Sequence, residues 1–467
     1  MEKILEATLF MRWVLMLVVL LSARVFEVEA AKGNVARAAA TSDVQAADGK
    51  DDERDEGRGS VYSFGIIPAL AFDSDLGLKY GAVVNIFDHG MDKKAPLYNQ
   101  HLFVRLTNTT GGSLTAQALL ESESLFSSAR FLGEVSYIRD KRLDFFGFNG
   151  RNAVYQEDFT RQDSESFLFP GYYTKERSLL RLRLDFQHYL TGKHFRMLTG
   201  IQHNRVLIDP IGGGNEPAGE AAGKAPDAGA SLFHQYITWG ILPDAEHRGG
   251  VVNMLTFGLV YDTRNDHCYC TDGLWIDAFA VVAPGFMGKH SFSKLIMTYR
   301  QHIGFFDERM VLSLRASSQH KLHGTIPYYM LPTFFDSRLS QDGIGGAFNL
   351  RGAMRNRIVS DGFAIANVET KIRLTDFYLF RQYFYASVSL FWDMAYVTQP
   401  YQINVSSVPD VFRSQHFSNQ PQKVHQTVGP GLYIVFNRNN AITINYGFST
   451  NPQDGHGGLY IGSSLLF

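Results

Sequence analysis

The feature that most constrains this chain is a two-residue alternation with full charges on one of its two faces. Residues 179–187 read LLRLRLDFQ, so Leu180, Leu182, Leu184 and Phe186 fall on one side and Arg181, Arg183, Asp185 and Gln187 on the other. Residues 441–449 read AITINYGFS, with Ile442, Ile444, Tyr446 and Phe448 opposite Thr443, Asn445, Gly447 and Ser449. Successive side chains of a strand point to opposite faces, so period two means β-structure. A sandwich would turn the apolar face to its core. A membrane barrel would turn it to lipid and leave the polar face to a wet lumen. Alternation alone fits both.

Three further features favour the barrel. The first is the N-terminus, where residues 11–21 (MRWVLMLVVLL) form an apolar run of about a dozen residues. A spanning helix needs roughly 20. With Lys3 and Arg12 at its start and small residues near Ala30, the run has the layout of a secretory signal peptide over residues 1–30. The second is that a hydrated lumen tolerates charges such as Arg181 and Arg183. The third is the C-terminus, GGLYIGSSLLF, where Leu459, Ile461, Leu465 and Phe467 share a face interrupted by Ser463. A terminal aromatic ending an alternating strand suits a closing barrel strand, whereas chain ends of soluble domains usually fray. No later segment offers about 18 uninterrupted apolar residues, so a membrane-embedded chain of this kind has only strands to cross with, and they must close.

Composition agrees. Aromatics make up 13% of residues, charged residues only 19%, and the formal net charge is −2, which points away from nucleic acid. Residues 31–60 carry clustered charges among Ala, Gly and Ser without apolar periodicity, and read as a disordered linker. Residues 61–467 are then the barrel. At roughly 9–11 residues per spanning strand plus connections, they accommodate about 16 antiparallel strands. Residues 209–250, Gly- and Ala-rich in their first half, read as one long extracellular loop.

Four motifs recur in order: YDTRNDHCYCTDG at 261–273, GGAFNLRGAMRNR at 345–357, Asn367-Val368-Glu369, and Phe391-Trp392-Asp393-Met394-Ala395. With the C-terminal strand, they resemble the barrel of the bacterial surface antigen family, the BamA/TamA superfamily, in a short form. The resemblance implies an all-β transmembrane barrel of the Gram-negative outer membrane with an inward-folded Arg-Gly loop. It implies a barrel that assists insertion or translocation of proteins, with outer-membrane lipid and unfolded outer-membrane proteins as partners. The alternative from another class is a passive pore or lipid-handling barrel that keeps the fold alone. Relatives carry periplasmic domains of about 75 residues ahead of the barrel, as the resemblance implies. The linker is too short for one, so a separate periplasmic accessory protein is expected to supply that role.

The resemblance also implies site residues. Arg351 and Gly352 are the loop tip, with Asp393 as the pairing carboxylate and Glu369 as a second candidate. An Arg fork on a confined carboxylate makes bidentate charge-assisted bonds, and Gly permits a turn that a Cβ blocks. Outside the motif, Arg351 reads as an ordinary solvated loop residue. Two departures stand out: Ala353 replaces the family's aromatic, which leaves the loop less firmly held, and Met394 follows Asp393 where the family prefers Gly. Asp262, Arg264 and Gly273 mark a strand end and a short periplasmic turn, in which His267 and Cys270 replace the usual prolines. His267-Cys268-x-Cys270 falls short of a closed zinc site, and bridging the two cysteines directly would be strained. It therefore reads as a turn without metal. Pro68, in the first strand, either weakens a seam with the strand that ends at Phe467 or sits at a non-bonded position. No spacing nominates a Ser/His/acid set, so neither enzymatic chemistry nor a cofactor is expected. Deletion of residues 31–58 should leave folding intact; loss of the heat-modifiable folded band on a semi-native gel would show that this segment is not a linker.

Overall fold

The computed structural model describes residues 62–90, 98–211, 230–266, 270–379, 382–436 and 440–462. The expected signal peptide and linker lie outside these residues, as do His267, Cys268 and Phe467. The first eleven strands are β1 (Tyr62–Asp73), β2 (Gly77–Asp88), β3 (Gln100–Thr109), β4 (Ser113–Phe126), β5 (Ala129–Asp144), β6 (Thr174–Thr191), β7 (Phe195–Pro210), β8 (Gly249–Asp262), β9 (Gly273–Ala283), β10 (Phe292–Phe305) and β11 (Met310–Gly324). Two short strands, β12 (Thr333–Phe334) and β13 (Gln341–Asp342), pair only with each other. The last five are β14 (Gly362–Leu379), β15 (Gln382–Gln399), β16 (His425–Phe436), β17 (Asn440–Ser449) and β18 (Gly458–Gly462).

Sixteen of these strands close a single antiparallel barrel in chain order, with β11 beside β14 and β1 beside β18. Closure follows from hydrogen-bond accounting. A strand in hydrocarbon has no water to satisfy its main chain, so both edges must be paired. The first strand pairs with the second along all of Tyr62–Asp73, and places Pro68 opposite Ala82. Its other edge meets β18 at Phe72↔Ile461 and Asp73↔Tyr460, beyond which Leu459 N–H donates to Ser74 Oγ at 2.7 Å. The seam is therefore described only at this end, and Pro68's second neighbour falls outside the described residues.

The alternation sorts inside from outside. Leu182, Leu184, Ile201, Phe257, Leu259, Ile276, Leu390, Trp392 and Tyr446 stand exposed on the outer wall. Their inward neighbours Arg181, Arg183, Asp185, Asp277, Asn367 and Asp393 are buried. Seven connections at one end are mostly short. The other end carries the long segments 145–173, 211–248, 325–361 and 400–424. Outer-membrane barrels place short turns at the periplasm and long loops outside.

The long loops form a lid. Phe145 meets Phe233 and Tyr236 edge-to-face at 5.2 and 5.1 Å, and Tyr172, Tyr328 and Leu331 are buried in the same apolar cluster. Each such large side chain, fully removed from water, contributes about 1.5–3 kcal/mol. The long loop expected over 209–250 runs between Pro210, where β7 ends, and Gly249, where β8 starts, and it contains a helix the sequence did not show, α1 (Leu232–Thr238). Ser231 caps that helix by accepting from His234 N–H, and the helix's Phe233 and Tyr236 are buried under the lid. A charge placed on the outer wall should be costly. Leu184→Arg should lower folding stability in phospholipid vesicles by about 2–4 kcal/mol, measured by urea titration. A loss indistinguishable from that of Leu184→Ala would mean that Leu184 does not meet the hydrocarbon.

Candidate functional site: an inward loop clasped by the lumen wall

The connection from β11 to β14 does not stay in the lid. Its β12–β13 ladder and its tip lie inside the barrel, clasped by charges of both signs. On the way in, the loop offers carboxylates to wall arginines. Asp342 accepts from Arg177 at 3.0 Å and from Arg181 at 3.2 Å, both on β6. Asp336 pairs with Arg300 of β10, and Arg183 donates to the Asp336 carbonyl at 2.8 Å. The alternating arginines of β6 thus face a hydrogen-bonded loop, and Arg181 and Arg183 are buried against it where a hydrated environment was expected.

At the tip the polarity reverses. Arg351 Nε and Nη2 grip Asp393 Oδ2 and Oδ1 at 2.9 and 3.0 Å, and the Arg351 main-chain N–H adds a third bond to Oδ2 at 3.1 Å. Nη1 donates to Glu369 Oε2 at 3.1 Å. Asp393 and Glu369 sit on the neighbouring strands β15 and β14, so one guanidinium bridges two staves. Tyr433 of β16 donates its hydroxyl to the other Glu369 oxygen. Asn367 Nδ2 donates to Asp393 Oδ1 and to the Asn349 carbonyl, each at 2.8 Å, while its own oxygen accepts from Arg315 Nε.

With no aromatic after Arg351-Gly352, the ring at this guanidinium comes from the wall. Ala353 is buried, and Phe391 of β15 lies under the guanidinium, 3.5 Å from its ring centroid. A cation over a ring in a desolvated site adds about 2 kcal/mol. The expectation of a loosely held loop is therefore corrected: a ring two residues before Asp393 on the same strand supplies the contact. Gly352 has φ +98°, and a Cβ there would lie 2.5 Å from the Gly447 carbonyl carbon. Gly447, on β17, likewise could hold no Cβ, which would lie 2.2 Å from the Arg351 oxygen. Two glycines thus let the loop backbone touch the wall backbone. Beside this contact, Gly352 N–H donates to Tyr460 Oη at 3.1 Å.

The turn residues form a second cluster at the short-turn end. Asp262 accepts from Arg196 at 2.8 Å and from Arg264 Nε at 3.0 Å, and Arg264 stacks over Trp275 at 4.4 Å. Gly273 has φ +125°, and a Cβ there would lie 2.6 Å from Arg264 Cα. Cys270 is a free thiol donating to the Asp272 carbonyl at 3.1 Å. Among the described residues no His, Cys, Asp and Glu cluster could hold a metal. The sequence assigned no role in the site to Asp336, Asp342, Arg177, Arg300 or Tyr460, and showed Phe391 and Gly447 only as members of a motif and a strand face. Its nearest signal was the inward arginine row of β6, whose charges required partners from somewhere.

No family model matches the chain, and no curated protein does. Among solved structures it is similar to CdiB from Escherichia coli, with a TM-score of 0.50 and 11% identity over 85% of this chain and 62% of that one. BamA from Haemophilus ducreyi lacking POTRA domains 1–3 gives 0.49 and 12%, over 87% and 70%. CdiB from Acinetobacter baumannii gives 0.44 and 12%, over 87% and 66%. The chain spans about three-fifths of the E. coli CdiB structure. At 11% identity the likeness to E. coli CdiB is one of fold alone, a closed β-barrel. With its apolar outer wall and closed ladder, the chain is an integral outer-membrane barrel.

Arg351→Ala would strand Asp393 and Glu369 in the lumen. It should cost about 3–5 kcal/mol and lower the temperature at which the folded band is lost on a semi-native gel. In an Asp393→Ala background the same change should cost clearly less, because the two residues share one interaction. An unchanged transition in Arg351→Ala would show that the loop is not clamped.

Proposed function

We propose that this barrel assists the insertion or translocation of other proteins at the outer membrane, without nucleotide or covalent chemistry. The observation that supports this reading is the bond from Gly352 N–H to Tyr460 Oη. Tyr460 lies on β18 and pairs across the seam with Asp73 of β1. The clamped loop tip therefore touches the residue that closes the barrel. A shift of the loop at Arg351 would be felt at the junction of first and last strands, where an incoming strand has main-chain groups to pair with once the seam parts. Lipid beside the parted seam would be the medium that receives the new protein.

A passive pore is the reading to beat. The aromatic lid and the clasped loop argue against an open channel in this conformation. The purified barrel in liposomes should speed the folding of a second, unrelated barrel protein. Tyr460→Phe, which removes the acceptor and keeps the ring, should reduce that rate while the barrel itself stays folded. Ion conductance without any acceleration would favour the pore and sink the proposal.

A further inference from the structure

The barrel's ladders do not all end together at the short-turn end. β14 pairs with β11 from Phe363↔Gln319 to Ile372↔Met310, ten residue pairs. Ten residues are about what a strand needs to cross the membrane. A last bond runs from Arg373 N–H to the Arg309 carbonyl at 2.7 Å. Beyond it β14 continues to Leu379, paired on its other side with β15 as far as Leu379↔Gln382. The β14–β15 hairpin therefore projects past the spanning band. Among the described residues, its edge over Leu374–Phe377 has no ladder partner on the β11 side.

The projecting edge has three properties. Consecutive residues Leu374, Thr375, Asp376 and Phe377 are all exposed, so neither face rests on the wall. Leu374 (60% exposed) and Phe377 (39%) present apolar surface there. The register shifts between Arg373 and Thr375, a bulge that bends the hairpin where it leaves β11. At the foot of the notch, the β10–β11 turn holds Phe306, Asp307 and Glu308 in succession at φ 54°, 53° and 62°. Left-handed backbone costs a non-glycine residue roughly 1–2 kcal/mol, and such strain concentrates at working sites. Phe306 points away from the fold, 77% exposed.

We propose that the β14 edge over Leu374–Phe377 is a docking strand for a separate water-soluble periplasmic protein, which adds an extended segment antiparallel to it. An open edge offers a row of main-chain donors and acceptors, and strand addition is the association that uses them all. Leu374, Phe377 and Phe306 would take the segment's apolar side chains. Lipid does not complete such an edge: acyl chains carry neither donors nor acceptors, and headgroups present no row of them alternating at strand spacing. A second copy inserted in the same sense presents this edge pointing the same way, so it cannot supply the antiparallel pairing that every barrel ladder here uses. The inference stands on ladder geometry and holds whether or not the barrel inserts proteins.

The test uses the full chain in its own outer membrane with photoreactive benzoylphenylalanine at Thr375. The expected adduct is with one periplasmic protein, with the cross-linked residues confined to one extended run. Leu374→Lys with Phe377→Lys, which guards the edge with charge, should cut the yield about tenfold, equivalent to about 1.4 kcal/mol of binding. The heat-modifiable band reports that this variant still folds. In the purified barrel, the amides of 374–377 should exchange hydrogen much faster than those of 363–372, and a synthetic peptide of the mapped segment should slow them. Adducts with lipid alone, with a second copy, or insensitive to the lysines would overturn the proposal. So would the absence of any adduct, or amides already protected in the purified barrel.

Discussion

Everything in this molecule follows from one requirement: a main chain in hydrocarbon must satisfy its hydrogen bonds within the protein. Each unsatisfied group would cost several kcal/mol. That forces sixteen strands into one closed ladder, and closure fixes the rest. A closed antiparallel wall sends alternate side chains to lipid and lumen, so the apolar stripe of β6 must face out and its arginines in. A lumen with inward arginines needs counter-charges. The chain supplies them by folding a loop inside, with Asp336 and Asp342 placed against β6 and β10.

The loop is held by complementary charge at both ends, which gives it direction as well as attachment. Its entering limb carries acid to wall base, and its tip carries base to wall acid. A loop slid by one strand would place Arg351 away from Asp393 and leave both buried and unpaired, at a cost of several kcal/mol. Register is thus specified by repulsion and desolvation as much as by attraction. The Gly352–Gly447 contact adds a steric check: the loop backbone can approach the wall only where neither side has a Cβ.

What was legible in the sequence was whatever depends on near neighbours. Alternation in 179–187 and 441–449 is a property of adjacent residues, and it revealed strands and their two faces, while their number came from the length of 61–467. The Arg351 set was legible only through a resemblance, since 42 positions separate Arg351 from Asp393 and no local rule joins them. The clasp of Arg177 and Arg181 on Asp342 spans still more chain and left no local mark. The α1 helix was hidden for a different reason. Its seven residues are too short to show a helical period, and Ser231 before LFHQYIT was the one local signal available. Phe391 is instructive in another way: the sequence showed no aromatic after Gly352, and the ring that lies against the Arg351 guanidinium comes from the facing strand instead.

The two ends of the barrel are solved in opposite ways, and the contrast bears on mechanism. At the long-loop end, aromatic side chains and buried ion pairs seal the mouth. There Asp454 takes Arg151 at 2.8 Å, and Arg357 donates to the carbonyls of Gly150 and Ala153. At the short-turn end, β14 and β15 outrun β11, and a left-handed turn is left with an exposed phenylalanine. The hairpin's tip buries little beyond the stacked rings of Phe377 and Phe384, and the turn leaves Phe306 in the open. A wall that seals itself on one side and keeps an open edge on the other suits the docking proposed above for the second. Between the two lies the loop tip, bonded to the strand at the seam. A partner drawing on the projecting hairpin would pull on β14 and β15, the two strands that carry Glu369 and Asp393 and so hold Arg351 in place.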